Sequence, residues 1–278
     1  MEVILAEYLG FCYGVKRAIH LARSSATPGT ANTLGPIIHN PQMVAKLAEE
    51  GVGTVNSLSE IPDKGTVIIR SHGVGPSIYT EAETRSLTVV DATCPHVKKA
   101  QMAADMLSKD GFQVVIIGEK HHPEVKSIVE WSGEKAFVIE TETEAESFPQ
   151  IGKMGIVAQT TFSGQKFQKI VAHLLQKSND VHIIRTICTA TDQRQTAAID
   201  LSRQVDMMLV IGGKNSANTT RLAQLCSKET ITYHIETASE LCDDWFTNIK
   251  KIGITAGAST PDWIIKEVYQ KCKTWHHG

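Results

Sequence analysis

The sequence predicts an α/β protein of three similar domains, each with a small parallel sheet, arranged pseudo-threefold. Three observations predict it. Apolar runs of four to six residues alternate with helical segments, as βαβ units require. A strand, glycine, polar loop and helix follow one another three times. Three cysteines each come after a β-type run and just ahead of a basic segment with helical character.

The cysteine stretches are Gly10-Phe11-Cys12-Tyr13-Gly14-Val15-Lys16-Arg17, Ala92-Thr93-Cys94-Pro95-His96-Val97-Lys98-Lys99 and Thr186-Ile187-Cys188-Thr189-Ala190-Thr191-Asp192-Gln193-Arg194. Their strands are Val3 to Ala6, Leu87 to Val90 and Val181 to Ile184. The glycine loops begin at Leu34-Gly35, Ile117-Gly118 and Ile211-Gly212. They lead into helical segments Gln42 to Glu50, Val125 to Trp131 and Thr219 to Cys226. This alignment makes His39, His122 and Ser216 equivalent. A further triple, Gly65 to Gly73, Gly155 to Thr161 and Gly253 to Ser259, has a strand delivering hydroxyl or imidazole groups to its C-terminal end. Ligands of parallel sheets bind there.

The repeat sets domain boundaries at 13–95, 96–187 and 188–278, with residues 1–12 completing the third domain. In each unit the cysteine strand comes last, so the N-terminal strand is expected to close the third sheet. The acidic run Glu140 to Glu146 reads as a solvated surface, and the closing His276-His277-Gly278 carries no assignment.

With 28 basic and 30 acidic residues the net charge is -2, so no global field argues for nucleic acid or membrane binding. No apolar run reaches the roughly 18 residues of a membrane span. Met1 leads directly into Val3-Ile4-Leu5 without a basic leader, which sets the expectation of a cytoplasmic, bacterial-type protein. Six cysteines in 278 residues do not make a disulfide scaffold; reduced or metal-bound thiols are expected.

A thiol at a helix N-terminus favours the thiolate that binds metal. Cys12, Cys94 and Cys188 share that context, whereas Cys226, Cys242 and Cys272 read as small buried hydrophobes. Three thiolates suit zinc with a water, or a [4Fe–4S] cube with one open iron. In His122-Pro123-Glu124 the proline fits the first helical position. Glu124 then either favours the helix dipole or serves as a proton donor beside a metal. His39 and His72 join His122 in a hydrogen-bonding cup if the threefold arrangement holds. Ser216, Asn218 and Ser259 precede helices and suit either capping or phosphate binding; Thr260-Pro261-Asp262 reads as N-cap, N1 and N2. No GxxxxGK[ST] or GxGxxG is present, so no bound nicotinamide or flavin is indicated.

These strings resemble the LytB/IspH family of 4-hydroxy-3-methylbut-2-enyl diphosphate reductases, which complete the methylerythritol phosphate isoprenoid pathway. GFCYGV, IIHNP, SHGV, DATCP, HPEV, QTT, the Cys188 region, GGKNSANT and TAGASTPD stand in family order over essentially the whole chain. The resemblance implies an oxygen-sensitive [4Fe–4S] cluster on Cys12, Cys94 and Cys188, found as [3Fe–4S] after oxidation. Its open iron would take the substrate hydroxyl. Glu124, Thr160 and His122 are the implied catalytic residues, with Glu124 donating the proton. His39, His72, His122, Thr160, Ser216, Asn218 and Ser259 are implied to bind the diphosphate substrate. A ferredoxin or flavodoxin is implied as electron donor, and isopentenyl and dimethylallyl diphosphate as products.

Ala217 departs from the family pattern, replacing a serine often found there, and the chain ends soon after the third domain, without the tail some relatives carry. A quinolinate synthase type enzyme also uses three cysteines in a threefold α/β frame, but HPEV and TAGAS speak against it. An iron–sulfur sensor has no use for three histidines and a glutamate, and no DNA-reading module is found.

Overall fold

A computed structural model describes residues 1–26 and 31–275; residues 27–30 and the closing His276-His277-Gly278 lie outside it. In chain order the elements are β1 (Glu2–Leu5), α1 (Tyr13–Ser24), β2 (Ala31–Leu34), α2 (Pro41–Glu49), β3 (Gly53–Val55), β4 (Thr66–Ile69), α3 (Pro76–Thr84) and β5 (Thr88–Asp91). Next come α4 (Pro95–Lys109), β6 (Gln113–Ile117), α5 (Pro123–Trp131), β7 (Phe137–Ile139), α6 (Glu142–Glu146), β8 (Lys153–Ala158), α7 (Gly164–Leu174) and β9 (Asp180–Ile183). The last are α8 (Thr189–Ser202), β10 (Met207–Ile211), α9 (Ala217–Cys226), β11 (Ile231–Ile235), β12 (Lys251–Ala256) and α10 (Asp262–Lys273). The expected strands and helices agree with these to within one or two residues.

The described strands form three four-stranded sheets, ordered β3-β2-β4-β5, β7-β6-β8-β9 and β11-β10-β12-β1. Every neighbouring pair is parallel. The three orders are the same once β1 is counted as the fourth strand of the last sheet, where it pairs with β12 from Glu2 opposite Lys251 to Leu5 opposite Ile254.

The chain divides into two compact units where the repeat suggests three. One comprises 16–38 and 44–188 and holds the first two sheets; the other comprises 1–15, 39–43 and 189–278 and holds the third. The larger unit stays together because α4 leaves the end of the first sheet and buries its apolar side on the second. Ala100, Ala104 and Leu107 pack with Val114, Ile116 and Val157 there. The Trp131 indole N–H, at the end of α5, donates to the Val74 carbonyl after β4 at 2.9 Å. On the opposite face of the second sheet, Val115, Ile117, Ile156 and Ala158 pack with Phe167 and Ile170 of α7. In the other unit β10 alternates likewise. Met207, Leu209 and Ile211 face α10, and Met208 and Val210 face α8 and α9. Strands buried on both faces read as continuous apolar runs, as they do here.

The acidic run becomes the short helix α6, capped by the Thr141 hydroxyl. Cys226 and Cys272 are core residues, but Cys242 is exposed, because it introduces a short 3₁₀ turn instead of lying on a buried face. Pro261, not Thr260, is the N-cap of α10; the Thr260 hydroxyl donates instead to the Ile211 carbonyl at 2.8 Å.

Leu107 is fully buried, and a side chain built on Gly155 would begin 3.0 Å from its methyl groups. Contact that close leaves little room for collapse. Leu107→Ala should cost about 2–5 kcal/mol, read as a lower urea midpoint at unchanged slope.

Candidate functional site

The expected residues occupy three loops at the C-terminal edge of each sheet, after its second, third and fourth strands. In the larger unit, Pro123 opens α5 and His122 caps it. Its ring Nδ1 accepts the Glu124 N–H at 3.2 Å. Glu124, in the first turn, is 2% exposed. One of its carboxylate oxygens accepts the Thr160 backbone N–H at 2.6 Å, and the other meets the Thr160 hydroxyl at 3.0 Å. Thr160 itself is buried, two residues past β8. The rings of His72 and His122 meet edge to face at 5.5 Å between centroids. His72, His122, Glu124 and Thr160 therefore form one contiguous group.

Burial pushes the Glu124 carboxyl up from 4.5 to about 7. The two Thr160 hydrogen bonds pull in the opposite direction, and the charge of Glu119 adds a small push upward. Desolvation outweighs the two hydrogen bonds and sets the direction.

In the smaller unit, Ser216 caps α9 by accepting the Thr219 N–H at 3.4 Å. The Ser259 hydroxyl donates to the His39 carbonyl at 3.1 Å. Asn218 is 6% exposed, and neither end of its amide has a hydrogen-bond partner among the described residues. Shielded amides are seldom left that way unless a ligand completes them.

The three cysteines share one restraint. The Cys94 N–H donates to the Ser71 carbonyl at 2.9 Å, that of Cys188 to Thr160 at 3.0 Å and that of Cys12 to Ala258 at 3.2 Å. Each acceptor lies two residues past the third strand of its sheet. All three cysteines are half-buried and stand at or one residue ahead of a helix start. Cys226 and Cys272 differ: burial raises their thiols to about 12 and about 11, far from the thiolate that binds metal. In chemistry and accessibility, the first three fit a metal or cluster and the buried pair does not.

Comparison with known proteins follows this division. A family model described as LytB protein matches residues 3–273. The chain belongs to the LytB protein family. It is 50% identical, over 98% of its own length and 97% of the relative's, to 4-hydroxy-3-methylbut-2-enyl diphosphate reductase of Trichlorobacter lovleyi. The reductase of that name from Citrifermentans bemidjiense is 48% identical, over 98% of this chain and 96% of the other. Among solved structures, the E-1-hydroxy-2-methyl-but-2-enyl-4-diphosphate reductase of Plasmodium falciparum is 29% identical with a TM-score of 0.91, covering 98% of this chain and 86% of that one. A structure of (E)-4-hydroxy-3-methyl-but-2-enyl diphosphate reductase, described as the terminal enzyme of the non-mevalonate pathway, is 43% identical with a TM-score of 0.71. It covers 99% of this chain and 100% of that one.

One expected equivalence within this family member is corrected. His39 matches His122 and Ser216 when counted from the strand, but the loop after β2 has six residues and the other two have five. Asn40 therefore holds the capping position, its side-chain oxygen accepting the Met43 N–H at 2.8 Å. Counted from the helix, Gln42, Glu124 and Asn218 are the equivalent second helical residues. Gln42 was not anticipated; its amide oxygen is shielded and accepts no hydrogen bond among the described residues. Ser127 and Gln101 were also missed. The Gln101 amide donates to the Ser127 hydroxyl at 3.0 Å, and that hydroxyl reaches the carbonyls of Glu124 at 2.8 Å and His72 at 3.3 Å. Neither lies in a recurring string, and their pairing spans two helices.

The Glu124 carboxyl fixes the sign of a stability effect. Between pH 4.5 and about 7 the folded chain keeps a proton that the unfolded chain has lost, so stability falls as pH rises through that window. Lifting the carboxyl that far corresponds to roughly 3 kcal/mol. Glu124→Gln preserves the shape and can serve both Thr160 contacts. In denaturant titrations the variant should gain on the wild type by about that amount between pH 5 and 8. Parallel profiles would show that Glu124 ionises as an ordinary carboxylate.

Proposed function

We propose that the chain reduces 4-hydroxy-3-methylbut-2-enyl diphosphate to isopentenyl and dimethylallyl diphosphate, as the last step of the methylerythritol phosphate pathway. The observation that carries this reading is the buried Glu124–Thr160 pair, an acid poised near pH 7 within the HPEV string. The relatives' names supply the substrate class.

The overall change breaks one C–O bond and forms one C–H bond. Two electrons and two protons are consumed, and the hydroxyl leaves as water. Cys12, Cys94 and Cys188 would hold a [4Fe–4S] cluster, which when bound would relay the two electrons one at a time from the donor and offer a Lewis-acidic iron. The half-buried helix-end thiols support this ligand set, as does the contrast with Cys226 and Cys272. The chain's own residues do the rest. Glu124 has an acidity matched to neutral pH, so it can give a proton to a departing hydroxyl and be reprotonated afterwards. Thr160 holds both carboxylate oxygens and orients that proton. His122 accepts the Glu124 N–H and so fixes the start of α5.

The diphosphate is remote from the reacting carbon and serves binding and orientation. His39, His72, His122, Ser216, Asn218 and Ser259 are the groups we assign to it, together with the starts of α5 and α9. Asn218 has the strongest support, because its amide has two ends to satisfy. Ala217 contributes no hydroxyl in this loop. Without a nicotinamide or flavin motif, electrons come from a partner protein, a ferredoxin or flavodoxin.

Protein purified without oxygen should oxidise reduced viologen when this substrate is added and should release five-carbon diphosphates. Iron-containing protein that leaves the dye reduced would sink the assignment. Glu124→Gln should retain iron and bind substrate while losing at least a hundredfold in turnover, the general range for a positioned acid. An unchanged rate would remove Glu124 from the proton path. Cys94→Ser should lose visible colour and iron, whereas Cys226→Ser, whose thiol only donates to the Ala198 carbonyl, keeps both. Equal loss in the two variants would overturn the ligand assignment.

A further inference from the structure

Helix α4 runs outward from Cys94 with one face bare. Pro95, Lys99, Met102 and Met106 follow at spacings of four, three and four, which puts them on one side of the helix. Met102 is 64% exposed and Met106 43%. With Arg17, Lys98 and Ile184 they line an open groove of about 710 Å³, flanked by Thr93 and Pro95 on either side of Cys94. Exposed methionines make soft, adaptable surfaces of the kind used for partners that come and go.

The charge of this face differs in sign from that of the chain, which is -2 overall. Its two carboxylates are already engaged: Asp91 by Lys98 at 2.6 Å and Asp105 by Lys109 at 2.7 Å. Arg17 donates to the carbonyls of Thr93 at 3.1 Å and Asp91 at 3.3 Å, neutral groups that leave its charge uncancelled. Lys99 is exposed. The groove therefore presents apolar sulfur flanked by uncompensated positive charge. Met102 is eight residues from Cys94, about 12 Å along the helix at 1.5 Å per residue.

We infer that this face of α4 is the docking surface for a small acidic iron–sulfur electron carrier of the ferredoxin kind. The inference rests on the reductase reading and adds where the electrons enter. Each encounter oxidises the carrier by one electron, and two encounters supply the pair that converts C–OH and two protons to C–H and water. Such contacts are small and short-lived, and opposite charge raises their encounter rate.

The test uses the full-length protein purified without oxygen, with a reduced bacterial ferredoxin of strongly negative charge as the probe. Binding is measured by shifts in the carrier's NMR spectrum at 20 and 200 mM salt. The double variant Lys99→Glu, Met102→Glu should keep its iron and its rate with reduced viologen. It should bind the carrier at least tenfold more weakly, lose a similar factor in carrier-driven rate, and depend less on salt. Lys135→Glu, away from the groove, should change none of these. Unchanged carrier binding in the double variant would overturn the inference. So would a viologen rate that falls in parallel, or a wild-type dimer that Met102→Glu dissolves, which would give the face to a second copy. Absence of viologen turnover in the wild type is a separate failure, of the reductase reading, and the binding titration still decides the surface.

Discussion

The site depends on one backbone hydrogen bond made three times. Each cysteine N–H donates to the carbonyl two residues beyond the third strand of its sheet, at Ser71, Thr160 and Ala258. The path to the cysteine differs in each case. Cys94 lies three residues past its strand, Cys188 five and Cys12 seven. All three loops leave alike, since Ala92, Ile184 and Ala6 donate to the third-strand carbonyls of Ile69, Ile156 and Ile254. All three also return to the same carbonyl. Loop length is absorbed between two fixed bonds, so the thiol is held relative to the sheet and not to the chain. In the longest loop the slack is taken up at Gly10, whose φ of 73° suits glycine and whose carbonyl accepts from Arg194 at 2.9 Å.

That frame sets up competing forces at Glu124. A carboxyl in the first turn of a helix, with a backbone N–H and a hydroxyl donating to it, should ionise easily. Burial at 2% exposure opposes this and prevails, leaving the group poised near 7. Moving Glu124 to the surface would restore an ordinary acid and remove the property that suits it to proton transfer. The cost is borne by the fold: roughly 3 kcal/mol of stability is given up above neutral pH, a sizeable share of what holds a domain of ordinary stability together.

The repeat made most of this legible. Strand runs of Val and Ile, glycines at strand ends and proline at the start of a helix gave the elements. Recurrence of the cysteine context sets Cys12, Cys94 and Cys188 apart from the other three cysteines. What could not be read depends on distance or on single-residue counting. The extra residue before Pro41 moved the cap from His39 to Asn40, because a strand and the next helix give two different zero points for the count. The bond between Gln101 and Ser127 links helices 26 residues apart in sequence, and no local pattern announces it. The merger of the first two sheets into one unit depends on α4 burying Leu107 against Gly155, a contact between side-chain volume and a missing side chain.

The same counting shows where the repeated scaffold departs from its own repeat. The second residue of the helix is Gln42, Glu124 or Asn218, and the residue two past the third strand is Ser71, Thr160 or Ala258. Only the middle copy combines an acid at the first place with a hydroxyl at the second, and only there do the two meet, at 3.0 Å. Asn218 is matched with Ala258, which has no polar side chain, and its amide has no hydrogen-bond partner among the described residues. Among the described residues, the Gln42 amide oxygen likewise has no donor. Three equivalent places thus carry one carboxyl and two neutral amides. A neutral amide offers both a donor and an acceptor, where a carboxylate offers only acceptors. The three sheets repeat one strand order, and the copies differ in the side chains that their loops carry.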